Sequence, residues 1–176
     1  DDAVTREATD DELTEMQRLL GEALAAGGLG FSTTRSFTHT DGDGVPVPSR
    51  VASDDEVVAL AGVCSEHPGT TLEWVSDGCL NGFSNEEVDL MAAMSLAARR
   101  SLNWNVLTVD SARPDDHRNQ VSACERVAEL GGPAVALTMP NLVGLTMHFY
   151  SFCPPYPPPD WEEVMALPGD EKKVRL

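Results

Sequence analysis

The sequence predicts an α/β protein whose sheet is parallel and built from consecutive strand–helix units. Three observations predict it. Four stretches with a helical apolar stripe alternate with four short apolar strands. The steps from Ser53 to Ser84 (84 − 53) and from Asn103 to Ala134 (134 − 103) are both 31 residues, which suits one strand, one helix and two short connections. Each strand also splits by parity into a large apolar face and a small or polar face, as helix cover on one side requires. Four strands do not close an eight-stranded barrel. The sheet is therefore open, or it is about half of a (β/α)8 barrel of the TIM type.

The first helix opens with a capping box, Thr9-Asp10-Asp11-Glu12, and carries Leu13, Met16, Leu20, Ala23 and Leu24 on one face. Gly27-Gly28 ends it, since glycine permits the left-handed turn that closes a helix. A strand over 29–34 follows at once. Residues 37–50 hold Asp-Gly pairs and prolines and read as a long loop. Further capping boxes, Ser53-Asp54-Asp55-Glu56 and Ser84-Asn85-Glu86-Glu87, start the second and third helices. Pro68-Gly69 stops the former, and Arg99-Arg100 in the last turn of the latter complements its dipole. Strands are expected over 70–75, 102–106 and 135–139, and a fourth helix over 117–130, ended by Gly131-Gly132. The proline-rich stretch 153–159 must be extended, and Asp160-Trp161-Glu162-Glu163 is expected to cap a short final helix.

Composition bounds the function. The chain has 176 residues, enough for one domain with a core, and 41% are hydrophobic. Asp and Glu number 29 against 12 Lys and Arg, a formal charge of −17 that argues against nucleic acid and against anionic membranes. No apolar run is long enough to span a bilayer and no signal peptide opens the chain, so a cytoplasmic protein is expected. The abrupt start, Asp1-Asp2-Ala3-Val4, reads as an interior piece of a longer protein. Cys64, Cys79, Cys124 and Cys153 show no Cys-x-x-Cys spacing; three of them lie in apolar company and are expected as small buried hydrophobes, and no disulfide framework is expected. His39, His67, His117 and His148 share no ligand spacing.

Parity locates the candidate site. Leu72 and Trp74 take one face of the second strand and send Glu73 to the other; Leu102 and Trp104 do the same to Asn103 and Asn105. On the first strand Leu29, Phe31 and Thr33 oppose Gly30, Ser32 and Thr34. On the fourth, Val135, Leu137 and Met139 oppose Ala134, Ala136 and Thr138, with the larger set expected against the helices. The inner face then gathers Ser32, Thr34, Glu73, Asn103, Asn105 and Thr138, with Arg35 at the carboxyl end of its strand. A carboxylate among amides and hydroxyls is costly to bury unless it is paired or serves a ligand. Glu73, Asn103 and Asn105 are the candidate catalytic residues, and Ser32, Thr34, Arg35 and Thr138 the candidate substrate-binding ones.

The run Gly27-Gly28-Leu29-Gly30-Phe31-Ser32-Thr33-Thr34-Arg35 resembles a segment of the N-acyl-D-amino-acid deacylase branch of the amidohydrolase superfamily. The flanking Glu22-Ala23-Leu24-Ala25-Ala26 and Asp43-Gly44-Val45-Pro46-Val47-Pro48 are similar to the same branch, as are Pro140-Asn141-Leu142-Val143-Gly144 and Ala166-Leu167-Pro168. The resemblance implies a (β/α)8 barrel and hydrolysis of a C–N bond, typically the N-acyl amide of a D-amino acid. It also implies a divalent metal, usually zinc, which activates water, and an aspartate that moves protons. By that resemblance the ligands of the metal are expected mainly outside this segment. The sequence departs from the branch in two places. The strands Thr71-Leu72-Glu73-Trp74-Val75 and Leu102-Asn103-Trp104-Asn105-Val106 carry no histidine where the branch has metal-binding ones, and Met139-Pro140 replaces an Arg-Pro pair. Two expectations follow: a metal-dependent amidohydrolase in which Glu73 partly stands in for a histidine, or a barrel that works without metal as a small-molecule binding or assembly subunit. The partners expected are a small-molecule substrate, the remainder of its own barrel and further copies in a homo-oligomer.

Overall fold

Thr9 opens the first helix, α1 (Asp10–Ala25), as its sequence predicts. Its hydroxyl accepts from the Glu12 amide at 3.3 Å, and the Glu12 carboxylate accepts from the Thr9 amide at 2.8 Å. Arg6 clamps the same carboxylate and also reaches Asp2, so the preceding turn is tied to the helix start. Replacing Thr9 by alanine is expected to cost about 1 kcal/mol. The denaturant midpoint should fall with no change in m-value; an unchanged midpoint would show that Arg6 alone holds this end.

The computed structural model describes residues 2–41, 44–109, 114–139, 141, 164 and 167–175. After α1 come β1 (Gly30–Thr34), α2 (Asp54–Val63), β2 (Thr71–Val75), α3 (Gly78–Asn81), α4 (Asn85–Ala98), β3 (Leu102–Asn105), α5 (Asp116–Glu129), β4 (Ala134–Leu137) and α6 (Gly169–Arg175). The strands form one parallel sheet in the order β1-β2-β3-β4. Helices α1, α2, α4 and α5 pack in a row, each against the next. Consecutive parallel strands with mutually packed crossover helices leave the helices on a single face. The protein is therefore α/β with alternating strand–helix units.

Several boundaries differ from expectation. The 37–50 loop is not wholly irregular, because Thr40 and Pro46 form an isolated bridge and Pro48–Arg50 a 3-10 turn. Arg99 lies past the end of α4 in a left-handed conformation, φ 52°, so it is not part of the last helical turn. The short helix α3 has no counterpart in the hydrophobic periodicity, since four residues are too few to establish one. The stretch 153–159, Cys153, His148, most of 140–144 and the cap at 160–163 lie outside the described residues.

The core lies between sheet and helices. Leu72, Trp74, Leu102 and Trp104 are fully buried and join Val57, Ala61, Val88, Met91, Met94, Ala98, Ala123 and Val127 from the helices. Trp104 meets Phe83 edge to face at 5.0 Å, and its indole N–H donates to Cys124 Sγ at 3.3 Å. Cys64 and Cys79 are buried free thiols, as expected of small hydrophobes. Burial pushes the Cys79 thiol up to about 11, so it stays protonated at neutral pH.

One expected face is reversed. Ala134 and Ala136 pair in register with Leu102 and Trp104, and both pack against the core. Val135 and Leu137 pair with Asn103 and Asn105 and are 45% and 38% exposed. The larger residues of β4 thus face away from the helices. The physical reason is volume: Leu102 and Trp104 already fill the space beside β4, and alanines let α5 approach the strand closely. The strand itself, Ala134–Leu137, is wholly apolar, and the size of its residues and Thr138, which lies past its end, point to the opposite face.

Candidate active site on the open sheet face

The register sets the residues of the open face side by side. Ser32, Glu73, Asn103 and Val135 form one rung across all four strands. Asn105 and Leu137 are paired in the next outward-facing rung toward the carboxyl ends. Paired residues of parallel strands project to the same side, so the alternation that buries Leu72 and Trp74 presents Glu73 on the open face. Glu73 is half-buried, as are Asn103 and Asn105, while Ser32 is exposed. The Asn105 side-chain amide donates to Glu73 Oε1. Within β1–β4, Glu73 is the single ionisable side chain on this face.

Desolvation raises the Glu73 carboxyl above its ordinary value of 4.5, and the Asn105 bond offsets this in part. A carboxyl that partial burial makes hold its proton more tightly is a candidate proton-transfer group. A carboxyl with a raised value binds its proton more tightly in the folded chain than in the unfolded one. Its contribution to stability is present below about pH 4.5 and is lost as pH rises through the folded value. Glu73→Gln should therefore flatten the fall in stability over that window and leave the variant the more stable protein above it. Denaturant midpoints measured from pH 4 upward check this, and parallel profiles for both proteins would refute it.

Thr34 stands on the same face, paired with Val75 one rung beyond Ser32 and Glu73, whereas Arg35 and Thr138 make their bonds elsewhere. The Thr34 hydroxyl accepts from the Ser36 amide at 3.1 Å and closes the turn after β1. Arg35 continues the alternation to the helix side. Its guanidinium binds Asp54 at 2.5 Å and the Ala52 carbonyl at 2.6 Å, which anchors the start of α2. Thr138 lies one residue past the end of β4 and is exposed. Its hydroxyl donates to the Leu107 carbonyl at 3.0 Å.

Two features escaped sequence reasoning. The Glu87 carboxylate accepts from the Ser76 hydroxyl at 2.6 Å, the Gly78 amide at 3.1 Å and the Ser84 amide at 3.0 Å. It thereby fixes the loop that leaves β2, and Asp77 in that loop accepts from the Phe37 amide at 2.8 Å. The only advance signal of Glu87 was its place in a capping box. The second feature is the apolar pair Val135 and Leu137, brought to this face by the reversal of β4.

The donor set does not by itself make a zinc site. Among the described residues no three or more His, Cys, Asp and Glu side chains cluster to hold a metal ion. Glu73 supplies one carboxylate and its neighbours are amides, whereas zinc sites draw three or four ligands from His, Cys and carboxylates. Among the described residues no helix is long and apolar enough to cross a membrane.

Fold and site together define an α/β protein of alternating strand–helix units with a carboxylate–amide pair on the sheet face opposite α1, α2, α4 and α5. Comparison of the chain with protein-family models, curated proteins and solved structures gave no match.

Proposed function

We propose that this chain is part of a (β/α)8 barrel that hydrolyses a C–N amide bond, such as the N-acyl amide of a D-amino acid, with Glu73 as its proton-transfer group. The observation that carries this reading is the Glu73–Asn105 pair. A carboxyl raised toward neutral pH exchanges a proton with a reacting amide more readily than an ordinary one. The Asn105 amide orients it, and Asn103 stands beside it to hydrogen-bond the substrate amide. The resemblance of 22–48 to N-acyl-D-amino-acid deacylases supplies the reaction class. The divalent metal which that class uses would take its ligands mainly from outside the segment. A cytoplasmic setting accords with the net charge of −17.

The test is release of free amino acid from a panel of N-acyl-D-amino acids by the intact protein, with and without added zinc. Release above the uncatalysed rate supports the reading, and no release from any member at full metal loading refutes it. A second reading, a small-molecule binding or assembly subunit, is favoured by one observation: β2 and β3 carry no histidine. Saturable binding of the same compounds without turnover would select it.

A further inference from the structure

We infer that Val135 and Leu137 form a wall that selects an apolar substituent on the substrate of the Glu73–Asn105 site. This inference rests on the proposed site, and it adds a specificity-determining surface from β4. The two side chains stand on the same face as Glu73, in register with Asn103 and Asn105. A compound whose amide lies over Glu73, Asn103 and Asn105 therefore extends across one strand spacing, about 4.8 Å, to reach them. That distance is spanned by three or four carbon–carbon bonds of a short alkyl chain.

Each rung of the face ends on an aliphatic residue of β4, and in the second rung Val75 of β2 adds a further apolar side chain beside Thr34. Ser32, Glu73 and Asn103 are polar, and the next position, Val135, is aliphatic and 45% exposed. In the following rung polar Asn105 gives way to Leu137, 38% exposed. Binding sites combine a few placed polar groups with apolar lining, the former for orientation and the latter for affinity. Here the polar pair and the aliphatic residues of β4 are adjacent. The occupant that matches is a small molecule with a hydrogen-bonding amide joined to a short unbranched alkyl chain. Acetyl places only a methyl near the amide, and each methylene beyond it covers more of Val135 and Leu137. Apolar area removed from water favours the longer chain by about three- to fourfold per methylene.

The experiment uses the intact protein and the series N-acetyl-, N-butanoyl- and N-hexanoyl-D-alanine. Dissociation constants are measured by calorimetry in the Glu73→Gln background, where turnover does not interfere, and turnover is measured with Glu73 in place. Affinity is expected to rise about tenfold for each two methylenes. Val135→Ser and Leu137→Ser should each reduce that gain to threefold or less and leave acetyl binding within twofold. Leu137→Phe, which keeps the surface apolar and the fold intact, should shift the optimum to a shorter chain. A flat series, a gain unchanged in all three variants, or no binding by any member would overturn the wall. Chain-length-dependent binding with no hydrolysis would overturn the hydrolase reading alone. Hydrolysis with a flat series would overturn the wall alone.

Discussion

Gly30→Ala should destabilise the protein by about 3 kcal/mol or more and uncouple β1 from the sheet. Gly30 begins β1 at φ +155°, in a region that residues with a side chain enter only at a cost of about 1–3 kcal/mol. A methyl group placed there would lie 1.9 Å from the Thr71 carbonyl oxygen and 2.8 Å from the Thr71 nitrogen and carbonyl carbon. All three are backbone atoms, so no rotamer change relieves the overlap. Gly30 pairs with Thr71 in register, so the strands must separate at their first rung. Gly69 provides the contrast. It has φ +88° with no atom within 4 Å of a built Cβ, so Gly69→Ala carries the conformational cost alone, about 1–2 kcal/mol. Chemical denaturation of both variants separates the two effects. Equal losses would mean that β1 does not seat on β2 this closely.

Glu73→Gln should lower turnover by a factor of about 10² to 10⁴, the range attributed to one positioned acid–base group. The substitution keeps the shape of the side chain and removes its ionisation. The glutamine side chain retains a carbonyl to accept from Asn105, so the local geometry survives. Circular dichroism and the unfolding midpoint at neutral pH should therefore show no loss of fold. Asn105→Ala removes the orienting amide and leaves Glu73 without the bond that offsets desolvation, so the acidic limb of the pH–rate profile should move to higher pH. Full turnover in Glu73→Gln would leave Glu73 as a residue of the sheet face with no part in the chemistry. A shifted profile in Asn105→Ala with normal folding would assign Asn105 a positioning role.

What the sequence determined by itself was local and periodic. Thr9, Ser53 and Ser84 cap helices because a side-chain oxygen before a helical run satisfies amides that no other local group reaches. Leu72–Glu73–Trp74 and Leu102–Asn103–Trp104–Asn105 fixed their faces because large apolar side chains alternate with polar ones, and only one arrangement buries the indole rings. Glu73 was legible for that reason. So was the parallel order of the strands, since a helix separates each strand from the next and each strand shows a single large apolar face.

Tertiary structure decided whatever depended on the volume and position of distant groups. The parity of Ala134–Leu137 was settled by Leu102 and Trp104 beside it and by the close approach of α5, neither of which is encoded in those four residues. Arg35 went to Asp54 and Ala52, 19 and 17 positions along the chain, because alternation after β1 carried it to the helix side. Glu87 came to hold the β2 loop only once α4 had packed its first turn against Ser76 and Gly78. Parity and caps act over a few residues and can be read along the chain. Packing compares volumes across strands that meet only when the sheet has formed.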